Sequence, residues 1–159
     1  MSNKGFSYPV LLIGLVLALF LWLIPLRSEL AFWRPPFVLL VVTYWLVHEP
    51  QYYGVFFAWM VGLFIDFLFG QTLGQCALAM SVAAYLVVAL QRRAYHLQLF
   101  HQCLFVAFVV AAYELVLLSS RSLVDDVDQI LPLFYPVLSS ALVWPIVVLG
   151  LQKARGKGW

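Results

Sequence analysis

The sequence has very few charged residues. Only 10% of its 159 residues are Asp, Glu, Lys or Arg, and its mean hydropathy is +0.98. A soluble domain carries roughly 25% charged residues, and it needs them to cover its surface. The lack of charge therefore predicts an integral membrane protein.

The sequence also has only a small excess of basic residues and only two cysteines. The net charge is +2, and the basic residues lie at the ends of apolar segments rather than in a stripe, which argues against nucleic-acid binding. Cys76 and Cys103 lie in or beside apolar segments, where thiols usually serve as small packing residues. Neither cysteine indicates a redox compartment.

Long polar stretches are missing too. The most polar stretch, residues 119–130, is too short to fold into a domain outside the membrane. We therefore expect a single all-α transmembrane domain over residues 1–159, with no extramembrane catalytic site and no cofactor.

Six apolar segments predict six transmembrane helices, because about 20 apolar residues cross the hydrocarbon core. The second segment is preceded by Pro35-Pro36 and is short for a span, so we expect it to be tilted or partly buried. The six predicted spans are residues 8–25, 37–47, 52–70, 75–90, 99–118 and 131–151.

The basic residues predict the orientation of these spans. An even number of spans puts both termini on one side, and the positive-inside rule makes the side richer in Lys and Arg cytoplasmic. Arg27, Arg34 and Arg121 lie on the opposite side. Both termini are therefore expected to be cytoplasmic, together with the remaining basic residues: Lys4, Arg92, Arg93, Lys153, Arg155 and Lys157.

The third segment has a small or polar residue at every fourth position. On a helix this spacing makes a continuous ridge that drifts by only about 40° per step. Small residues let another helix approach closely where lipid supplies no hydrophobic drive. The pattern predicts a face for packing against an internal helix or a partner helix, formed by Gly54, Ala58, Gly62, Asp66, Gly70 and Gly74.

Two acidic residues, Asp66 and Glu114, lie inside apolar segments. A charge at hydrocarbon depth costs at least about 2.5 kcal/mol, so Asp66 must be protonated, paired or turned to a polar interior. The favoured interpretation is that Asp66 orients neighbouring helices through hydrogen bonds, with Arg34, Tyr44 and Ser81 as candidate partners. The alternative is that the two acids share a proton or a cation.

Two other polar clusters could suggest chemistry. Three acids in a short outer loop, Asp125, Asp126 and Asp128, are usually solvated rather than catalytic. The spacing of His96, His101 and Cys103 does not align three ligands on one helix face. We expect neither a catalytic nor a metal site.

Several motifs follow one another along the chain. They are RPPFVLL at 34–40, Tyr44-Trp45, GLFIDFLFGQTLG at 62–74, LAMS at 78–81, Tyr85-Leu86 and, in the last span, Trp144-Pro145. In order and spacing these motifs resemble the MreD family of rod shape-determining proteins. The resemblance covers nearly the whole chain, and residues 34–86 carry most of it.

This resemblance implies a non-enzymatic inner-membrane subunit of the bacterial elongation machinery, which builds side-wall peptidoglycan. It implies MreC as the direct partner and, through MreC, a RodA-type glycosyltransferase, a penicillin-binding transpeptidase and MreB filaments. Within the bundle, Gly62, Asp66 and Gly70 are expected to organise the helices. Arg34, Tyr44 and Trp45 are expected to support them from the second segment.

Two other function classes stay open. The family is similar in architecture to the six-helix substrate-binding subunits of vitamin importers, so a small-ligand-binding subunit is conceivable. A closed, polar-lined cavity near Asp66 and Glu114 would favour it. An intramembrane enzyme acting on lipid-linked precursors would need clustered acids, whereas the acids other than Asp66 are scattered over four segments.

Overall fold

The computed structural model describes residues 7–25, 27, 33–70, 73–94, 98–122 and 134–154, and this part of the chain is helical without strands. The predicted all-α fold is confirmed. In chain order the described helices are α1 (Ser7–Leu23), α2 (Phe37–His48), α3 (Val55–Phe69), α4 (Gln75–Ala94), α5 (Leu99–Ser122) and α6 (Phe134–Ala154).

Helix α2 is the centre of the bundle. It contacts α1, α4, α5 and α6, and every residue from 38 to 47 is buried. Leu40 and Trp45 are completely enclosed. The 12 residues of α2 span only about 18 Å at 1.5 Å per residue. The expectation of a short, buried second segment is therefore confirmed.

Helix α3 lies at the edge of the bundle. It packs mainly on α4, which in turn contacts α2 and α5. At the end of α3, the ring of Phe69 meets the ring of Trp22 from α1, with centroids 4.2 Å apart. The opposite side of α3 is exposed and apolar, including Phe56, Phe64 and Phe67. The position of α3 therefore depends chiefly on α4.

Four helix ends differ from the sequence-based expectation by three or more residues, and one of them is the end of α6, which reaches Ala154 rather than residue 151. Helix α3 starts at Val55 rather than at residue 52. Helix α4 continues to Ala94, past residue 90, where its span was predicted to end. Helix α5 continues to Ser122, into the stretch expected to be a loop. The hydroxyls of Ser119 and Ser120 donate to carbonyl oxygens of the preceding turn, each at 2.8 Å, which lets these polar residues remain helical.

Some predictions fall outside the described residues. They concern the polar residues of the outer loop and of the connectors, and they remain predictions. These residues are Lys4, His96, Asp125, Asp126, Asp128, Arg155 and Lys157.

Within the described residues, two helical stretches are long and apolar enough to cross a membrane, Phe100–Ser120 and Phe134–Ala154. The other apolar helices are shorter. They are Tyr8–Leu23, Phe37–His48, Val55–Phe69 and Gln75–Leu90. Six membrane crossings and cytoplasmic termini remain predictions.

Truncating the enclosed side chain of α2 should destabilise the protein far more than truncating an exposed leucine. Leu40 is 0% exposed, whereas Leu142 on α6 is 71% exposed. Leu40→Ala leaves a cavity at the centre of the bundle, so we expect the Tm in mild detergent to fall by roughly 4–10 °C. Leu142→Ala should leave the Tm nearly unchanged. Equal Tm values for the two variants would contradict the central position of α2.

Candidate functional site

Asp66 is the most distinctive side chain of the structure. It lies in the last turn of α3 and is 0% exposed. Its Oδ2 accepts hydrogen bonds from the backbone amides of Gly74 at 3.0 Å and Ala77 at 3.2 Å. Its Oδ1 accepts one from the amide of Cys76 at 3.1 Å. Asp66 therefore joins the end of α3 to the beginning of α4.

The first amides of α4 need such an acceptor. The first N–H groups of a helix have no intrahelical partner, and they carry the positive end of the helix dipole. The carbonyl of Gly74 accepts the first bond of α4, from the amide of Leu78 at 2.9 Å, so Gly74 occupies the capping position. Glycine has no side chain with which to cap. The carboxylate of Asp66, supplied from the preceding helix, takes that role.

Gly62 brings the two helices close together one turn earlier. A Cβ at this position would lie 2.6 Å from the Cα of Ala77 and 2.8 Å from the carbonyl oxygen of Cys76. Both are backbone atoms, which cannot move aside as a flexible side chain can. Only glycine fits here. We call the set Gly62, Asp66, Gly74, Cys76 and Ala77 the α3–α4 clamp.

The predicted ridge of six positions on one helix is wrong at its ends. Gly54 precedes α3 with extended backbone, and Gly70 ends α3 with φ 60°. Gly74 precedes α4 at its capping position, with φ 103°. A Cβ on any of these three would meet no atom within 4 Å. The positive φ angles of Gly70 and Gly74 explain their glycine, because other residues rarely adopt them. Ala58 lies between Gly54 and Gly62 and is fully buried.

Two of the three side-chain partners suggested for Asp66, Arg34 and Ser81, donate their hydrogen bonds elsewhere. Nη2 of Arg34 donates to the carbonyl oxygens of Leu21 at 2.6 Å and Ile24 at 3.2 Å, near the end of α1. The hydroxyl of Ser81 donates to the carbonyl of Ala77 at 2.7 Å. The donors to Asp66 are backbone amides, which have no side-chain signature in a sequence. The sequence feature that could have predicted this contact is the spacing of Asp66, an acid eight residues before Gly74 at the start of the next helix.

Tyr44 and Trp45 belong to the core of α2. Tyr44 stacks on His48 with ring centroids 4.1 Å apart, and Trp45 meets Tyr53 edge to face at 5.6 Å. Both residues are almost fully buried. These ring contacts lie within the core around the central helix, on which α4 packs. Tyr44 and Trp45 therefore support the α3–α4 clamp indirectly, through the position of α4.

Glu114 lies on α5, which packs against α2, α4 and α6. Asp66 lies on α3. Among the described residues, no group of three or more His, Cys, Asp or Glu side chains could hold a metal ion. Sharing of a proton or cation between Asp66 and Glu114 remains a prediction.

A small, partly open cleft with a cavity volume of about 20 Å³ lies where five helices meet. Neither Asp66 nor Glu114 lines it. Its walls are chiefly apolar and aromatic, and they include Trp22, Pro36, Phe37, Ile65, Met80 and Tyr113. It is not the polar-lined cavity near the two acids that would favour a small-ligand-binding subunit.

Comparison with known proteins identifies the family. The model of the family described as rod shape-determining protein MreD matches residues 4–154. The chain belongs to the MreD family. One MreD relative, the rod shape-determining protein MreD of Haemophilus influenzae, is 27% identical over 142 residues, covering 89% of this chain and 88% of the relative. No solved structure matches the chain.

MreD membership confirms the resemblance inferred from the motifs. The stretch that carries most of that resemblance, residues 34–86, contains the central helix α2, the α3–α4 clamp and the first part of α4. MreD membership and the two span-length helices together point to a membrane protein.

Replacing Asp66 tests the cap of α4 in this MreD protein. Asp66→Asn keeps one acceptor oxygen but turns an NH₂ group toward backbone N–H donors, so we expect partial destabilisation. Asp66→Leu removes both acceptors and should lower the Tm further, by roughly 5–10 °C in total. Hydrogen exchange of the amides of Gly74, Cys76 and Ala77 should accelerate in the same order. Unchanged exchange in Asp66→Leu would refute the cap.

Replacing Gly62 tests the close approach of α3 and α4. Gly62→Ala places a Cβ against the backbone of α4, so the helices must separate and the Tm should fall by several degrees. Gly150→Ala is the matched control, because a Cβ there meets no atom within 4 Å. A Gly62→Ala protein as stable as the Gly150→Ala protein would contradict the contact.

Proposed function

We propose that this MreD-family protein is a non-enzymatic integral membrane scaffold of the bacterial cell-elongation complex, which binds MreC and helps to maintain rod shape and side-wall peptidoglycan synthesis. The observation that carries the proposal is the family match over residues 4–154. A role in rod shape determination follows from the family and from the name of the Haemophilus influenzae relative. MreC binding is the finer part of the proposal.

The proposed location is the bacterial inner membrane, crossed six times with both termini in the cytoplasm. Two described helices have the length and composition of spans, and four more are apolar but shorter. The distribution of Lys and Arg between the two sides supports the orientation. The shortness of α2 fits a multi-pass bundle, because its neighbours α1, α4, α5 and α6 separate it from lipid.

The clamp supports a structural rather than a catalytic use of Asp66. Both of its carboxylate oxygens accept backbone N–H bonds, so the acid is committed to joining two helices. A residue engaged in this way fixes the position of α3. It is poorly suited to exchange protons with a substrate.

A scaffold needs surfaces that are held in fixed positions relative to each other. The helix bundle holds the exposed surface of α3 in such a position. The clamp ties α3 to α4, and α4 packs on the central helix. The exposed apolar side of α3, which includes Phe56 and Phe67, is thereby held at a set place on the bundle. MreC, with its single transmembrane helix, would dock on the intact bundle. The RodA-type glycosyltransferase, the penicillin-binding transpeptidase and MreB would be reached through it.

Co-purification from native membranes tests this function. The tagged protein is extracted in mild detergent, and the proteins recovered with it are identified by mass spectrometry. We expect MreC and a cell-wall polymerase to be recovered with the wild type and with Gly150→Leu. Gly62→Leu should lower their recovery at least fivefold at an equal amount of the tagged protein, because α3 is displaced.

Each contrary outcome is specific. Recovery of a nucleotide-driven transport module in place of MreC would show that the protein acts as a ligand-binding subunit of a transporter rather than as a scaffold. Normal recovery with Gly62→Leu would keep the scaffold but exclude the α3–α4 clamp from partner binding.

A further inference from the structure

The length of helix α3 is fixed by its own backbone. The helix has 15 residues, which extend over about 22 Å at 1.5 Å per residue. Gly54 precedes it in an extended conformation, and Gly70 ends it in the left-handed conformation, where its amide donates to the carbonyl oxygen of Asp66. Neither glycine has helical dihedral angles, so α3 cannot continue through them.

The chain turns away from the axis of α3 at both ends. Before the helix, the amides of Tyr52 and Tyr53 donate to the carbonyl oxygen of Glu49 at 3.1 and 3.2 Å, in the turn that joins α2 to α3. After the helix, the amide of Gly74 donates to Oδ2 of Asp66 at 3.0 Å, so the connector folds back toward the last turn of α3. Neither connector adds helical length to α3.

Most of the circumference of α3 is uncovered and apolar. Phe56 is 72% exposed and Phe67 is 76% exposed, although they lie near opposite ends of the helix. The buried positions form only the narrow stripe that faces α4, and they are Ala58, Gly62, Ile65 and Asp66. The other large exposed side chains are Trp59, Met60, Phe64 and Leu68. Unlike α2, whose neighbours enclose it, α3 presents its short length at the surface of the bundle.

Helices α5 and α6 present a greater length. Their apolar stretches, Phe100–Ser120 and Phe134–Ala154, have 21 residues each, which extend over about 32 Å. This length matches the hydrocarbon core of a bilayer, about 30 Å thick. Helix α3 falls short of that thickness by about 8 Å. The bundle therefore has two surfaces that fit bilayers of different thickness.

The end of α3 marks a boundary of the hydrocarbon. Phe69, the last residue of α3, meets Trp22, the residue before the end of α1, so the two neighbouring helices end at the same level. Tryptophan concentrates at the membrane interface. Irregular backbone exposed to lipid does not occur within the hydrocarbon, because its polar groups would lack hydrogen-bond partners. The hydrocarbon beside α3 must therefore end close to the two ends of this helix.

We propose that the bilayer thins beside α3 to a hydrocarbon thickness of about 22 Å, and that phospholipids with short acyl chains occupy this surface. The length of α3 selects this occupant, because a bilayer that meets a short span thins to match it and short chains need less deformation to do so. The proposal rests on the proposed multi-pass location in the membrane, but it does not rest on MreC binding.

Fluorescence quenching by brominated lipid measures which acyl chains contact α3. Trp59 is exposed on α3, and the difference between the wild type and Trp59→Phe gives the signal of this indole alone. The full-length protein is reconstituted into brominated phosphatidylcholine with eighteen-carbon chains, mixed with unbrominated phosphatidylcholine with chains of fourteen, eighteen or twenty-two carbons. Displacement of the quencher gives the relative affinity for each lipid. We expect the fourteen-carbon lipid to be favoured at least twofold over the eighteen-carbon lipid at Trp59.

Two further variants provide the comparison within the same protein. Leu142→Trp, made in the Trp59→Phe protein, places the indole at an exposed position of α6, which has the length of a span. We expect no preference for the fourteen-carbon lipid there. Phe67→Trp in the same background repeats the measurement near the other end of α3, so the result does not depend on one indole.

The same chain-length preference at α3 and α6 would overturn the proposal and leave the membrane location intact, and so would a preference for the longest chains at α3. Weak quenching of Trp59 by every lipid would also overturn it. If dilution of the protein into excess lipid then restored the quenching, a second copy of the chain would be the occupant of α3. If dilution did not restore it, α3 would lie outside the hydrocarbon, and the multi-pass location would fail as well.

Discussion

The bond between the carboxylate of Asp66 and the first amides of α4 is the constraint on which the position of α3 depends. A carboxylate within an apolar helix is unstable unless it finds donors, and the first N–H groups of a helix are unsatisfied unless they find an acceptor. In the α3–α4 clamp, the free amides of α4 supply the donors that the carboxylate needs, and the carboxylate supplies the acceptors that these amides need. Gly62 makes the bond possible, because the two backbones must come close for Asp66 to reach across.

The remainder of the bundle is organised around α2. This helix contacts four others and is buried along ten positions, whereas α3 packs mainly on one. The clamp and the central helix therefore have different tasks. Residues of α2 such as Leu40 and Trp45 fill space that several helices share. Asp66 and Gly62 fix the geometry of a single pair.

The sequence predicts the helices well because their apolar runs are long and separated by polar or proline-containing connectors. It also predicts the unusual second segment, since Pro35-Pro36 and its short length leave few other arrangements. The identities of Gly62 and Asp66 as packing residues follow from their spacing. The partners of Asp66 could not be predicted, because backbone amides are present at every position. The same spacing also included Gly70 and Gly74. These two positions require glycine because of their positive φ angles, not because of helix packing.

The central position of α2 also bears on how the chain is assembled. Helix α2 leaves the ribosome before three of the four helices that enclose it, α4, α5 and α6. With a length of about 18 Å, it is too short to span about 30 Å of hydrocarbon by itself. Its stable placement must therefore wait for the C-terminal half of the chain. A chain interrupted before α6 would leave the most enclosed helix partly uncovered.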